Sequence, residues 1–348
     1  MFEKQALGLD IADHTLEAIE LRRSVFSHIP TVVNRARMSL EKGVVEHGRL
    51  INKKKLLEAL SLLWQSASGQ PLSMHDIVVG IPERQVYTFV ARFEVSTPAA
   101  LNEQIRDTAL STIPIEKDDL IYSSKIISKK DTAVDVLIYG MSREVLQEWK
   151  DFFDTTPYRV AAFDHELLAI TRGLFGSQPH EPLCIVDCGA ERTKIAICSS
   201  RGLEYIHSLE IGGDFFTEQI AKSLDVTKEE ADRIKREEGL EPISRRALFE
   251  KLLQPIIDEI LTACSYYEVG MNATITKILI VGGSARLVGL PEYLQEKTQR
   301  TVQRGASFLE PNHNADTTDH LHYIEALGLA LKGVRLGFWE REHPSFRL

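Results

Sequence analysis

Hydrophobic and polar positions along the chain predict repeated units of strand, helix and strand. Residues 6–21 and residues 184–197 each show a short apolar strand, a polar turn beside an aspartate, and the start of a second strand. After the first of these hairpins, residues 52–64 carry leucines at helical spacing, and a further strand over 76–81 ends at Pro82. Strands joined by a crossing helix are typical of one lobe of an α/β protein. Two similar hairpins about half a chain apart therefore predict two related lobes.

The order of elements changes between the two hairpins, and this change predicts an inserted domain. After Glu83 the pattern becomes strand, helix, strand, strand and helix before the chain returns to its parent lobe. The predicted boundaries are residues 1–83 plus 158–176 for the first lobe, with a tail helix over 319–333 returning to it, 84–157 for the insert, and 183–318 for the second lobe, with a helical subdomain at about 213–275. Within that subdomain, Thr227 and Glu230 form a capping box, which predicts a separate helix over 228–238 ended by Gly239.

Composition and charge exclude several classes of protein. With 348 residues, of which 43% are hydrophobic, the chain can bury a large core, which predicts a globular protein of two or three domains. A net charge of -9 argues against broad electrostatic binding to nucleic acid, because an acidic surface repels phosphates. No apolar run reaches the ~18 residues of a membrane span, and the N-terminus is too acidic and enters a strand too early for a signal peptide. We therefore expect a cytoplasmic protein.

Two groups of potential metal ligands have simpler interpretations. The cysteines lie on predicted buried elements, where thiols behave as small apolar side chains, and the pair Cys184 and Cys188 lacks two further ligands at suitable spacing. The polar loop over 311–318 and the residues after it contain histidines and aspartates. Solvated side chains and a helix cap explain that loop more simply than a metal does.

The aspartates of the two hairpins are the candidate site. Mg²⁺ prefers oxygen ligands and usually bridges to substrate phosphates, so Asp187 could hold it directly or through water. Gly189 lets the backbone approach an anion without a Cβ in the way, and Thr193 adds a hydroxyl group. Asp10 takes the corresponding position in the first hairpin. A local aspartate turn explains one such hairpin equally well, and only the repetition favours a shared ligand cleft.

A third candidate element follows the apolar strand over 277–281. Gly282 and Gly283 come directly after this strand and are followed by Ser284. Glycines in such a place allow flat, close contact between the backbone and a planar ligand. The GxGxxG spacing of dinucleotide-binding proteins and the GxxxxGK[ST] pattern of P-loops are both absent from the sequence.

A series of short stretches carries a family resemblance. The most specific are CIVDCGAERTKIAI (184–197), LEIGGDFFTEQIAKSLDVTKEEADRIK (209–235) and ILIVGGSARLVGLPEYL (278–294), supported by EKGVVEHGRLINKKKL (41–56) and AAFDHELLAITR (161–172). In this order they resemble the actin-like ATPase superfamily, and within it the type IV pilus assembly PilM family, which is related to the division protein FtsA. The resemblance covers nearly the whole chain. It implies an α/β fold of the actin-like (RNase H-like) two-lobed type, with a small inserted α+β domain in the first lobe and with ATP and Mg²⁺ between the lobes.

The resemblance also implies roles for individual residues. Asp10 and Asp187 would flank Mg²⁺ and the phosphates, and Glu166, at the start of the connecting helix, would orient an attacking water. The implied cofactor-binding residues are Asp10, Asp13, Asp187, Gly189, Thr193, Gly212, Gly213, Lys235, Gly282, Gly283 and Ser284. The glycines are expected against the phosphates, the sugar and the adenosine, and Lys235 at the ribose or base.

The first hairpin departs from the family pattern. PilM-like sequences usually carry glycine, then serine, then a lysine a few residues later, whereas this turn has Ala12, Asp13 and His14, with Glu17 in place of the lysine. Fewer donors and more negative charge then face the phosphates. We therefore expect ATP to be bound with Mg²⁺ and hydrolysed slowly or not at all. A degenerate pocket that serves only as a scaffold is the alternative.

The resemblance implies a regulated binding module rather than an independent enzyme. It predicts a protein at the cytoplasmic face of the inner membrane, peripheral to the membrane and not spanning it, among other pilus assembly proteins. A groove between the first lobe and the insert would hold the N-terminal cytoplasmic peptide of a PilN-like inner-membrane protein, and nucleotide would bias lobe closure. The alternative is an FtsA-like membrane-tethered filament protein. Its tether would be the tail over 335–348, which is short and broken by Pro344.

Overall fold

The computed structural model describes residues 4–24, 26, 29–68, 71–73, 76–94, 97–241, 243–309 and 318–335. The described residues form two compact units. Unit 1 is drawn from Met1–Ser177, Ser307–Asn312 and Tyr323–Leu348, and unit 2 from Gln178–Ala306 and His313–His322. The predicted tether over 335–348 and the histidine-containing loop over 311–318 fall almost wholly outside the described residues. Among the residues that are described, no helix is both long enough and apolar enough to cross a bilayer.

Strands and helices alternate along both units. The strands are β1 (Lys4–Ile11), β2 (Thr15–Arg23), β3 (Thr31–Ser39), β4 (Val45–Glu46), β5 (Arg49–Leu50), β6 (Asp76–Ile81), β7 (Tyr87–Glu94), β8 (Leu120–Lys130), β9 (Ala133–Ser142), β10 (Arg159–His165), β11 (Leu183–Cys188), β12 (Thr193–Ser199), β13 (Gly202–Leu209), β14 (Lys277–Val281) and β15 (Thr301–Arg304). The α-helices are α1 (Lys53–Gln65), α2 (Pro98–Thr112), α3 (Arg143–Asp154), α4 (Glu166–Phe175), α5 (Gly213–Leu224), α6 (Lys228–Glu237), α7 (Ile243–Met271), α8 (Leu290–Thr298) and α9 (Ile324–Arg335).

The larger sheet of unit 1 has the strand order β10-β6-β1-β2-β3. Its central strand β1 pairs antiparallel with β2 and parallel with β6, which in turn pairs parallel with β10. Helix α9 packs on this sheet, and its Ala326, Leu327 and Ala330 share one buried cluster with Ile19 of β2. The helix approaches β1 so closely that a Cβ at Gly8 would lie 2.0 Å from the Ala326 carbonyl oxygen. A glycine in β1 is therefore required for the tail helix to dock.

The segment between the two hairpins has a sheet of its own, with the order β7-β9-β8. Helix α2 covers one face, where its Leu101, Ile105 and Ala109 are buried with Phe93 and Val136 from the strands. The elements follow in the order strand, helix, strand, strand, helix, which is the order that the sequence pattern predicts. Strands β7 and β8 form the two edges of this sheet.

Unit 2 is built on a sheet with the order β13-β12-β11-β14-β15. Strand β11 lies at its centre, antiparallel to β12 and parallel to β14. The long helix α7 buries Phe249, Ile260 and Ala263 in one cluster with Val186 of β11. The strand that carries Asp187 is thus held on both edges by neighbouring strands and on one face by the core of the unit.

Several helix boundaries agree with capping signals in the sequence. Helix α1 follows Asn52, whose side chain accepts a hydrogen bond from the Lys55 amide at 3.1 Å. Thr227 caps α6 in the same way, by accepting from the Glu230 amide at 3.2 Å. Gly239 follows that helix with a φ of +51°, the left-handed conformation that favours glycine at a helix end.

The tail helix begins later than the sequence predicts. Residues Thr318–Tyr323 form a 3-10 helix, and α9 starts only at Ile324. Leu321 is buried in the core of unit 2, and His320 Nε2 lies 3.1 Å from the Gly305 carbonyl oxygen. The chain passes from unit 2 to unit 1 directly after these contacts, which accounts for the break between the two helices.

Candidate functional site

Asp187 lies near the carboxyl end of β11 and has a counter-ion within its own hairpin. It stands opposite Lys194 of β12 in the register of the two strands. The Lys194 ammonium donates a hydrogen bond to Asp187 Oδ2 at 2.9 Å, and the lysine and aspartate side chains are only 11% and 8% exposed. A buried carboxylate is costly unless it is paired, so Lys194 stabilises Asp187 in its charged form.

The turn after Asp187 is bound to the first turn of α5. The Gly213 amide donates to the Gly189 carbonyl oxygen at 3.0 Å, and the Asp214 amide donates to the Ala190 carbonyl oxygen at 2.8 Å. A Cβ at Gly212 would lie 2.4 Å from that same Ala190 oxygen. Glycine at this position therefore lets the helix start directly on the hairpin turn.

The glycine turn after β14 lies over the Asp187 carboxylate. Gly282 has a φ of +84°, and a Cβ there would lie 2.4 Å from Asp187 Oδ1 and 2.7 Å from the Cys188 carbonyl oxygen. The Ser284 hydroxyl donates to the Gly189 carbonyl oxygen at 3.0 Å. The two candidate elements of unit 2, the hairpin and the glycine turn, are thus in direct contact.

Lys235 and Thr193 take part in the same assembly through hydrogen bonds. The Lys235 ammonium donates to the Gly213 carbonyl oxygen at 3.0 Å and to Thr217 Oγ1 at 2.7 Å, which anchors α6 to the start of α5. The Thr193 hydroxyl is buried and donates its hydrogen to the Ile211 carbonyl oxygen at 2.7 Å. The predicted residues that the structure brings together in unit 2 are Asp187, Gly189, Thr193, Gly212, Gly213, Lys235, Gly282, Gly283 and Ser284. Their contacts with a nucleotide stay predictions.

This arrangement fits a nucleotide better than it fits a metal ion at Asp187. Gly189, Gly212 and Gly282 add no side chain at the hairpin turn. A Cβ at Gly283 would meet nothing closer than 3.8 Å, so the backbone at Gly283 is open to a flat ligand. A magnesium ion at Asp187 would lie close to the Lys194 ammonium. Two unit charges about 4 Å apart repel by about 4 kcal/mol at an effective dielectric constant of about 20, and a divalent ion doubles that repulsion.

In unit 1, Asp10 belongs to a row of three charged residues across neighbouring strands. It stands opposite Glu17 of β2, which stands opposite Arg37 of β3. Arg37 Nε donates to Glu17 Oε1 at 2.8 Å, while Glu17 Oε2 is buried without a hydrogen-bond partner among the described residues. Burial raises the pKa of Glu17 from 4.5 to about 7, against the opposite effect of Arg37. The carboxyl group at the expected lysine position is thus bound to Arg37.

Asp13 has a structural partner within unit 1. Its Oδ2 accepts from the His47 amide at 2.9 Å and its Oδ1 from the Gly48 amide at 3.1 Å. These two residues form the turn between β4 and β5, with φ values of +54° and +75°. Both carboxylate oxygens of Asp13 therefore support a strained turn, which explains an acid at this position without a phosphate. Its contact with a cofactor stays a prediction.

The turn between β4 and β5 also contacts the insert. Trp149 Nε1 of α3 donates to the Gly48 carbonyl oxygen at 3.3 Å, and Gln85 Nε2 donates to the His47 carbonyl oxygen at 2.6 Å. Beside them, Arg49 Nε pairs with Glu148 Oε2 at 3.0 Å. One short turn therefore joins the hairpin of Asp10 to both ends of the insert.

Glu166 lies at the start of α4 and is bound to Glu83, the last residue before the predicted insert. Its Oε2 accepts from the Glu83 amide at 2.9 Å. The preceding residue, His165, is fully buried, and its Nδ1 accepts from the Leu167 amide at 3.1 Å. The hydrogen is then on Nε2, which donates to Thr88 Oγ1 of the insert at 2.8 Å. A role for Glu166 in orienting water stays a prediction.

Sequence reasoning did not single out Lys194 or His165. For Lys194 the signal was its spacing, because a residue at that distance after Asp187 in a short hairpin must stand opposite it. For His165 the signal was its place directly before a helix, where a side chain commonly accepts from the first-turn amides.

The two predicted metal ligands, Asp10 and Asp187, belong to different units, Asp10 to unit 1 and Asp187 to unit 2.

Comparisons with known proteins identify the family of this chain. The family described as Type IV pilus assembly protein PilM matches residues 8–334. The cell division protein FtsA of Streptococcus pneumoniae serotype 2 is 22% identical over 183 residues, a match that covers 46% of this chain and 40% of that protein. The part of this chain that matches FtsA therefore spans less than half the length of that relative.

Solved structures share the fold. A PilM-PilN type IV pilus biogenesis complex is similar with a TM-score of 0.78 at 18% identity, over 94% of this chain and 98% of the other. MreB 5 of Spiroplasma citri bound to AMPPNP is similar with a TM-score of 0.53 at 11% identity, over 88% of this chain and 93% of the other. The predicted actin-like two-lobed α/β fold is confirmed, and the structure adds that it contains two mixed sheets. Because the family match extends over nearly the whole chain, the protein belongs to the type IV pilus assembly protein PilM family.

Proposed function

We propose that this chain is a nucleotide-regulated binding module of type IV pilus assembly. It binds ATP, supplied with Mg²⁺, and hydrolyses it slowly or not at all. It holds the N-terminal cytoplasmic peptide of a PilN-like inner-membrane protein at the cytoplasmic face of the inner membrane. The observation that carries this proposal is the family match over residues 8–334, which includes both hairpins and the insert.

Nucleotide binding is supported by the contacts within unit 2. The glycine turn at Gly282, the hairpin turn at Gly189 and the first turn of α5 meet through backbone hydrogen bonds and the Ser284 hydroxyl. The MreB 5 structure of the same fold holds AMPPNP, an ATP analogue. Calorimetric titration of the whole chain with ATP in Mg²⁺ buffer should therefore give saturable binding. A protein that binds the peptide but gives no heat with ATP would refute the nucleotide part of the proposal.

Peptide binding is supported by the edge strand β7 of the insert. Tyr87 begins this strand with 45% of its surface exposed, and the next residue, Thr88, contacts His165 of the first lobe. The β7 edge therefore begins where the insert meets the first lobe. An extended peptide can add to such an edge through backbone hydrogen bonds, with side-chain pockets supplying specificity. The similarity to a PilM-PilN complex supports a PilN-like peptide as the ligand.

The two edges of the insert sheet offer a matched test of this proposal. Affinity for a synthetic PilN-like N-terminal peptide is measured with the whole chain and two variants. Tyr87→Ala should weaken binding by about tenfold, because an exposed aromatic at a peptide site commonly contributes more than 1 kcal/mol. Ile126→Ala, which changes a residue 52% exposed on the opposite edge strand β8, should leave the affinity unchanged. Equal affinities for all three proteins would contradict the assignment to β7.

Regulation by nucleotide is supported by the turn between β4 and β5. Asp13, beside the first hairpin aspartate, holds this turn through two amides, and the turn holds Trp149 and Gln85 of the insert. A ligand that shifts the first hairpin can therefore act on the peptide site by a short path of contacts through the turn between β4 and β5. ATP should change peptide affinity in the unaltered chain, and Asp13→Ala should reduce that change. An undiminished ATP effect in the variant would argue against this path.

The scaffold alternative is favoured by two contacts in unit 1. Asp13 binds backbone amides with both oxygens, and Glu17 is paired with Arg37, so the first hairpin is stable without phosphate. On this alternative the chain binds the peptide with the same affinity in the presence and absence of ATP. The calorimetric titration described above separates the two functions.

A further inference from the structure

The two aspartate hairpins have the same backbone register but opposite charges at one position. Asp10 stands opposite Glu17 in the first hairpin, and Asp187 stands opposite Lys194 in the second. In both, the opposing residue comes seven positions after the aspartate, so the backbone frame is shared. The residue opposite the aspartate is therefore an acid, Glu17, in the first hairpin and a base, Lys194, in the second.

Lys194 is a buried and paired cation, not a surface charge. Its side chain is 11% exposed, whereas the surface lysine Lys222 in the same unit is 65% exposed and pairs with Glu218 along its own helix. Burying an ammonium group is unfavourable unless a charged partner is close. The partner here is Asp187, the residue that the family resemblance gives to Mg²⁺ and phosphate.

The other oxygen of Asp187 is enclosed as well. Gly282 approaches Oδ1 so closely that a Cβ would lie 2.4 Å away, while Oδ2 accepts from Lys194. The carboxylate therefore sits between the glycine turn and the ammonium group. Mg²⁺ prefers octahedral coordination by oxygen ligands, and here one carboxylate oxygen already accepts from an ammonium group, whose charge repels a divalent cation.

We propose that Lys194 takes over, at the second hairpin, the task of the divalent ion: its ammonium neutralises Asp187 and binds the phosphates of a nucleoside triphosphate. The inference rests on the proposed function of nucleotide binding and deepens it. Lysine is a common phosphate ligand in proteins, where it acts as a point charge with three donors. The ammonium group has three donors, of which the hydrogen bond to Asp187 uses one, and in the proposed complex a phosphate oxygen is a second acceptor.

The test is the dependence of ATP affinity on Mg²⁺, measured by calorimetry with the whole chain. The unaltered protein should bind ATP in excess EDTA with an affinity within about threefold of that in Mg²⁺, since the protein supplies the cation itself. Lys194→Met should lose about tenfold to a hundredfold in EDTA, the value of one charge-assisted hydrogen bond, and should recover part of this when Mg²⁺ is added. The matched control Lys222→Met should behave like the unaltered chain in both buffers.

The outcomes separate the proposed function, nucleotide binding, from the proposed role of Lys194. Strictly Mg²⁺-dependent binding by the unaltered chain overturns the role of Lys194 and leaves the proposed function standing. Absence of ATP binding in both buffers overturns the proposed function, and the inference with it. The comparison of the two buffers needs no variant, so it decides even if Lys194→Met fails to fold. If that variant folds, with a melting curve like that of Lys222→Met, and keeps its affinity in EDTA, the inference is wrong.

Discussion

Replacing Asp164 by asparagine should cost unit 1 about 3–5 kcal/mol of its free energy of unfolding, the usual effect of removing one partner of a buried ion pair. Asp164 is 1% exposed, and its carboxylate accepts from the Lys332 ammonium at 2.5 Å and from the Arg172 guanidinium. Lys332 belongs to α9 and Arg172 to α4, so this carboxylate holds the tail helix to the sheet. Asparagine keeps the size of the side chain but removes the negative charge that both cations face.

Asp164 also makes the free energy of unfolding depend on pH, with stability lost in acid. Burial acts to raise the pKa of Asp164, but the charges of Arg172 and Lys332 outweigh it and lower the pKa from 3.8 to about 2. The stability that this provides is fully present above the unfolded value of 3.8 and is lost as the pH falls through about 2. A difference of just under two pKa units corresponds to about 2 kcal/mol. The unaltered chain should therefore lose about 2 kcal/mol more than Asp164→Asn between pH 5 and pH 2.

Urea denaturation followed by tryptophan fluorescence is a suitable assay, because Trp64 and Trp149 are buried in unit 1. The control is Asp76→Asn, which removes an ion pair with Arg159 whose side chains are 38% and 78% exposed. Exposed pairs contribute at most about 1 kcal/mol, so the control should change little. An Asp164→Asn variant no less stable than this control, or with the pH dependence of the unaltered chain, would refute the reasoning.

Other substitutions test single contacts. Gly282→Ala should lower the melting temperature and weaken nucleotide binding, because φ is +84° and the new Cβ would lie 2.4 Å from a carboxylate oxygen. Its control is Gly270→Ala, where the new Cβ meets nothing within 4 Å and α7 should gain about 0.5–1 kcal/mol. Thr88→Val should cost about 0.5–1.5 kcal/mol in urea denaturation by removing the hydrogen bond between His165 Nε2 and Thr88 Oγ1, and unchanged stability would contradict a contribution of that bond. The raised pKa of Glu17 means that protonation favours the fold, so stability should fall as the pH rises from 4.5 to about 7, and Glu17→Gln should flatten that part of the profile.

Local sequence patterns predicted most of the elements that carry the candidate site. The leucine spacing and Asn52 placed helix α1 to within one residue, and the two hairpins lie where the apolar runs end at aspartates. These signals are local, because a helix face, a cap and a hairpin turn are each determined by a few neighbouring residues. The family resemblance then supplied the fold, which the comparisons confirm.

Contacts between distant segments had no such signal. Asp13 binds amides that lie 34 and 35 residues further along the chain, and Asp164 binds a lysine 168 residues away. A carboxylate that faces backbone amides or a buried ammonium looks, in the sequence, like any other acid. The negative charge of Asp13 therefore suggested a poor phosphate loop, whereas the structure gives this residue a second task in holding the turn between β4 and β5.

The shared register of the hairpins places a charged side chain opposite each aspartate. In the first hairpin, Asp10 and Glu17 together carry two negative charges when ionised, and Arg37 from the third strand offsets one of them. In the second, Asp187 and Lys194 offset each other. A divalent cation is repelled by an ammonium group, so the second hairpin is an unfavourable place for Mg²⁺, in agreement with the Mg²⁺-independent binding proposed above. Glu17 and Lys194 take the same place in the register of the two hairpins, so one shared backbone frame gives the first hairpin a surplus of acid and the second a neutral ion pair.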